Sequence, residues 1–193
     1  MPTNLPTTAV VEWSAQIVPP PAESASAFGT NRQRFVRIGQ HWRFTVTLPA
    51  QSQSTALDWT DLEAPTDTMV WEIPQGDLQA GNEGTPLVDG GGQLGSTLDV
   101  DGITPGYVIK KGAFISVISS SRRYVYQVTA EATATGLGEA ALSIQPPLRV
   151  SPNNNDTVEI ATPKVEGLSS ADPLTIGLSY VQRGRRFVIE ERG

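Results

Sequence analysis

The sequence predicts an all-β protein: a discontinuous, sandwich-like β domain with one short helix, carrying a small inserted β-barrel. Three observations carry that expectation. Apolar and polar residues alternate with period two in short runs, densest between residues 94 and 160, with turn residues at intervals of roughly ten. Gly and Pro number 18 and 15 of 193 residues, a turn-rich composition, and only one segment has helical spacing. The alternating stretch is bracketed by a glycine-rich composition break at 76–95 and a second crossing at 161–170, as in a domain that is left and re-entered.

Taken in order, residues 1–30 hold two apolar pieces of strand character, Ala9 to Trp13 and Ala15 to Val18. Pro19-Pro20-Pro21 then keeps the chain extended and out of a sheet interior. Phe35 to Leu48 reads as two strands meeting at Gly39-Gln40. On the second, Trp42, Phe44, Val46 and Leu48 share one face, and Arg43, Thr45 and Thr47 the other. The helix candidate runs from Ser54 to Glu63. Ser54 or Thr55 would be its N-cap, Asp58 would sit in its first turn, and Pro65 bars its extension. Trp59 and Leu62 then fall three residues apart on one side of it.

The inserted module is expected over 84–161, leaving 1–83 and 162–193 as the discontinuous domain. Within it Leu98 and Val100 lead to a turn at Asp101-Gly102, and Phe114 to Ile118 follow a turn at Lys111-Gly112. Tyr124, Tyr126 and Val128 alternate strictly, as do Ala140, Leu142 and Ile144 after Gly136-Leu137-Gly138. Beyond the return, Leu174, Ile176 and Leu178 read as a strand, and Tyr180 to Ile189 as another element turned at RGRR.

There are no cysteines, which removes disulfides, thiolate metal sites and cysteine nucleophiles together and fits synthesis in a reducing cytoplasm. No apolar run approaches the ~18 residues that would span a bilayer, and MPTNLPTTAVVEW lacks the basic start of a signal peptide. Charge is unevenly placed within a net of −6. Arg32, Arg34, Arg37 and Arg43 lie in a segment, 24–57, without acids. From 44 to 109 there is no Lys or Arg, but there are ten acids: Asp58, Asp61, Glu63, Asp67, Glu72, Asp77, Glu83, Asp89, Asp99 and Asp101. Two solvated faces explain this, as do complementary patches that join neighbouring copies head to tail.

The order GQLGSTLDVDG, GAFISV, YQVTAEATATGLGEAALSIQPPLR and a Pro-Asn turn before TVEI resembles the small β domain of tail proteins from long-tailed, non-contractile bacteriophages. Upstream, QHWRFTVTLPAQSQSTALDW is similar to the same family's strand W-R-x-x-V-x-L-P and the short helix with an inward Trp that follows it. The two matches cover about half the chain, in the family's order. The chain departs after the helix: where the family has a Leu-x-Gly turn and an aromatic strand, it has Leu62-Glu63-Ala64-Pro65 and Met69-Val70-Trp71. The resemblance implies a distal tail protein, or a related minor tail protein. It also implies a homo-oligomeric, hexameric ring joining the tail tube to the hub and baseplate, with genomic DNA only passing through its lumen. Such a protein acts in the virion, at the tail tip, with no membrane insertion and no cofactor. An acidic lumen would avoid holding the passing phosphates.

None of the residue sets with chemical potential is expected to be a catalytic, cofactor or metal site. Gly90-Gly91-Gly92-Gln93-Leu94-Gly95 satisfies G-x-G-x-x-G but precedes a strand, not the helix that pyrophosphate needs, and reads as a flexible connection. Asp99-Val100-Asp101-Gly102 starts like a calcium loop, but Val108 occupies the position of the bidentate Glu. His41, the single histidine, has no G-x-S-x-G elbow and no metal-ligand spacing to serve. Asp58, Asp61 and Glu63 read as solubilising charge rather than a glycosidase pair. Arg183, Arg185 and Arg186, flanked by Tyr180 and Phe187, read as an edge-strand charge cluster or a patch for a neighbour's acids rather than a single-strand grip. Two alternatives to a structural role remain. One is a carbohydrate- or host-surface-binding barrel using Tyr107, Tyr124 and Tyr126. The other is an envelope hydrolase, for which no nucleophile, base or metal set is readable.

Overall fold

The computed structural model describes residues 2–6, 10, 12–19, 23–25, 32–34, 39–59, 62, 68–78, 81–172, 181–182 and 184–192. It is an all-β fold with one α-helix among those residues. Before the barrel come β1 (Thr3–Asn4), β2 (Glu12–Val18), β3 (Glu23–Ala25), β4 (Arg32–Arg34), β5 (His41–Thr47), β6 (Gln51–Ser52), α1 (Gln53–Leu57) and β7 (Met69–Glu72). The barrel region holds β8 (Gly84–Val88), β9 (Thr97–Ile103), β10 (Val108–Ile109), β11 (Phe114–Ser119), β12 (Arg122–Val128), β13 (Ala132–Thr133), β14 (Ala140–Gln145) and β15 (Thr157–Glu159). After it come β16 (Lys164–Ala171), β17 (Val181–Gln182) and β18 (Arg186–Glu191).

One sheet of six strands has the order β1-β7-β16-β18-β5-β2, so its centre is completed only by strands that follow the barrel. All its pairings are antiparallel except the short β1–β7 edge. The alternation read on the fifth strand is realised: Trp42, Phe44, Val46 and Leu48 are buried, joined by Phe187 and Ile189 from the adjacent β18 and by Trp71 from β7. The sheet is curled around this core. In hydrogen-bonded order β2 and β7 are four spacings apart, ~19 Å if flat, yet the Trp13 and Trp71 rings lie 6.3 Å apart.

Two expectations upstream are corrected. The pieces Ala9–Trp13 and Ala15–Val18 are not two strands: Glu12–Val18 runs without a break, because Ser14 and Gln16 continue the alternation on the solvent side and pair with β5. The helix is one turn, Gln53–Leu57. Its N-cap is Ser52, whose hydroxyl accepts from Thr55 N, so Ser54 and Thr55 lie inside the helix; Asp58 is its C-cap rather than a first-turn acid. Trp59 and Leu62 are buried, but they lie beyond the helix and not on one side of it as their spacing led one to expect. The strands expected at Leu174–Leu178 and before Gly39 lie outside the described residues, as do Asp61, Glu63, Tyr180 and Arg183.

The second body is a closed barrel in the order β11-β12-β14-β9-β8-β15, with a small β10–β13 pair beside it. Its interior is filled by the alternating residues: Leu98 and Val100, Ile115 and Val117, Tyr124 and Tyr126, Leu142 and Ile144. Asp101-Gly102 is not a turn, as the dipeptide led one to expect. Both residues lie inside β9, where the register against β8 shifts. Gly102 has φ +68°, and a Cβ there would stand 2.4 Å from Thr85 O. The glycine is therefore required by a bulge that brings two strands together, not by a hairpin. Nor is Gly90–Gly95 a flexible connection. It is the β8–β9 loop, and the Gln93 side chain holds it closed by donating to Asp89 O (2.7 Å) and Asp99 O (3.1 Å) while accepting from Asp99 N (2.7 Å).

Barrel and sheet share a core. Phe114 and Val125 point out of the barrel and into the sheet, and Phe114 makes edge contacts with Trp42, Phe44 and Trp13 at 5.1–5.7 Å. Phe114→Ala should therefore destabilise the whole chain by about 3–5 kcal/mol. Chemical denaturation of the variant checks this; a loss confined to the barrel, with the sheet unaffected, would contradict a shared core.

Candidate functional site

The densest polar constellation lies where barrel and sheet meet, and it is centred on Glu191. Along β18 the inward positions are Phe187, Ile189 and Glu191, so the carboxylate lands where an apolar residue belongs and is buried. Its oxygens are filled from three directions. Trp42 N of the sheet donates at 3.0 Å, Val125 N of the barrel at 2.7 Å, and Arg149 Nη2, from the segment after β14, forms an ion pair. Arg149 is itself buried and lies over the Tyr124 ring, 5.2 Å from its centroid. Burial pushes the Glu191 carboxyl above its ordinary range, against the downward pull of Arg149 and the two amides. Burial likewise raises the neighbouring Tyr126 phenol.

Two further contacts fix the joint. Gln75, just before the barrel, accepts from Phe114 N (2.5 Å) and donates to Phe114 O (3.0 Å) and Ile160 O (3.2 Å), so its amide ties the start of β11 to the segment that follows β15. The chain leaves and returns side by side, with Ile73 N donating to Pro163 O at 2.9 Å. On the outer flank Glu159 accepts from Ser116 Oγ and pairs with Arg123 at 3.3 Å.

On the opposite face of the sheet, the adjacent Glu190 accepts from His41 Nε2 (2.9 Å) and from Arg43 Nε (2.9 Å) and Nη2 (2.6 Å). The hydrogen bonds from His41 and Arg43 hold its carboxyl below its ordinary value. His41 is thus half-buried and occupied in a structural ion cluster.

The other residues considered from sequence are not brought together. Asp101 borders the bulge and Asp99 lies two residues before it, paired with Ala141 of β14, and among the described residues no group of three or more His, Cys, Asp or Glu is placed to hold a metal ion. Arg185 is buried and donates to Asp172 O at 2.8 Å, so it is not part of an exposed basic turn with Arg186. Tyr124 and Tyr126 line the barrel interior and cannot offer an exposed stacking face. Tyr107 is half-buried against the same core. Sequence reasoning missed Glu191, Arg149 and Gln75. One signal was present for the first: an acid on the apolar face of an alternating strand, F-V-I-E-E. A scan against protein-family models finds no match to the chain, and neither does a search of curated proteins.

Removing Glu191 strands a buried guanidinium, so Glu191→Ala should cost about 3–5 kcal/mol in denaturant titrations. The two neighbouring glutamates have opposite linkage. Glu190, with its folded pKa lowered, contributes stability above its unfolded pKa that disappears as pH falls through the folded value. Glu191, with its folded pKa raised, contributes stability that is complete below the unfolded pKa and disappears as pH rises through the folded value. Stability curves from about pH 3 to about pH 8 should therefore show a flatter acid limb for Glu190→Gln. For Arg149→Met, which deletes the strongest downward pull on Glu191, they should show a steeper loss toward neutral pH. Parallel curves for all three proteins would refute both assignments.

Proposed function

We propose that this chain is a structural protein of a phage tail, the distal tail protein or a related minor tail protein. In this reading it assembles as a hexameric ring that joins the tail tube to the hub and baseplate, around a channel through which DNA passes without being held. Its work is geometric rather than catalytic, and it is carried out in the virion at the tail tip. The order of motifs that resembles the tail family supports the reading.

The structural observation that favours it is the joint: a closed barrel carried by a curled sheet and locked to it through Phe114, Gln75 and the Glu191–Arg149 pair. A module held in a fixed orientation suits an adaptor that must present the same face from every copy of a ring. The carbohydrate-binding alternative is disfavoured by the burial of Tyr124 and Tyr126.

Light scattering coupled to size exclusion, with negative-stain images of the same peak, tests the reading. A mass near six times 20.6 kDa in ring-shaped particles is expected. A chain that stays monomeric at every concentration, and also in the presence of tail tube and hub proteins, would overturn it.

A further inference from the structure

Strand β2 (Glu12–Val18) ends the six-strand sheet, and among the described residues it pairs with β5 alone. Its other edge therefore offers backbone N–H and C=O groups along seven residues, and no bulge interrupts the strand. Proteins blunt such edges with Lys, Pro, bulges or inward-pointing charges, and this one has none of them. Its single charge is Glu12, at the first position and on the outer face. The core is also open along this edge. Trp13, Ala15 and Ile17 face it but are only partly buried, whereas Val46, Phe44 and Trp42, opposite them on β5, are sealed.

The strand is complementary to itself. Reversed about Ala15, it sets Trp13 opposite Ile17 of a second copy, Ser14 opposite Gln16 and Glu12 opposite Val18. The apolar inward residues of both copies then meet on one face, and Ser14 and Gln16 meet on the other. Pro19, which has no N–H, follows directly, and this is the register that pairs all seven residues. The two Glu12 carboxylates stand ~20 Å apart, at six residues of ~3.3 Å each, so they do not repel across the pair. We propose that β2 is a contact between copies, pairing antiparallel with β2 of a second copy across a twofold axis at Ala15. The same patch serves both partners, so the contact joins two copies and closes there. It goes beyond the tail reading and does not rest on it: in a ring it would join one ring to another, not neighbours within one.

Seven residue pairs make a small interface, so covalent trapping is the suitable readout. The chain has no cysteine, and an introduced one therefore reports without background. Ala15→Cys, held with oxidised glutathione, should give a covalent dimer at twice 20.6 kDa on a non-reducing gel, because directly opposed strand residues lie within disulfide reach. Glu12→Cys, exposed on the same strand, should link at least fivefold less. If Ala15→Cys lowers the melting temperature, Ser14→Cys mixed with Gln16→Cys replaces it, and the mixed dimer should outnumber the dimers that either forms alone. An Ala15→Cys chain that stays monomeric, or a Glu12→Cys chain that links equally well, overturns the edge contact and leaves the ring reading standing. In the replacement pair, a mixed dimer no more abundant than the self-linked ones does the same.

Discussion

Glu191 occupies the third inward position of a strand whose first two are Phe187 and Ile189, and the arrangement of the two bodies depends on how that carboxylate is satisfied. A buried carboxylate is tolerated only with its lone pairs filled, and here each donor belongs to a different part of the chain: a sheet amide, a barrel amide and a guanidinium from the segment after β14. All three must arrive together. Apolar contacts could not impose this. Burying Phe114 stabilises the joint by roughly 1.5–3 kcal/mol, but the hydrophobic effect has no direction and would tolerate a tilted barrel. A buried ion pair has the reverse balance: its net stabilisation against an apolar pair is near zero or negative, while its geometry is strict. Packing therefore holds the barrel on, and the carboxylate sets its angle.

The same strand end constrains the outer face. Glu190 and Glu191 are consecutive, so the pleat sends them to opposite sides, one to His41 and Arg43 and the other to Arg149. Both carboxylates have their oxygens filled, but hydrogen bonds lower the folded pKa of Glu190 on the wet side while burial raises that of Glu191 on the dry side. His41, the one residue whose type suggested chemistry, is consumed in this arrangement.

Much of the fold was legible because burial in strands imposes a period that the sequence has to follow. The face formed by Trp42, Phe44, Val46 and Leu48 and the alternation in β12 and β14 follow from period two. What was not legible depended on contacts distant in sequence. Asp101-Gly102 has the composition of a hairpin, and only the approach of Thr85 O makes it a bulge. The glycines at 90–95 look like slack until Gln93 is seen to fasten the loop on itself. Ser52 outcompeted Ser54 as N-cap because the strand before the helix ends there. Glu191 was marked by a break in pattern, but its partners at 42, 125 and 149 are separated by up to 149 residues, and no local rule connects them.

A joint of this kind matters more in an assembly than in a single molecule. If a sheet-borne barrel could swing, each copy in a ring would present it differently, and a partner spanning several copies would have to absorb the ordering entropy of all of them on binding. Fixing the angle within each chain moves that cost into folding, where the apolar packing around Phe114 and Val125 offsets it. Rigidity inside the chain and looseness outside it then have separate places. The sheet and barrel are locked through a buried pair that salt screens only weakly. The exposed carboxylates of Asp58 and Asp77 stand outside that lock, where salt screens them.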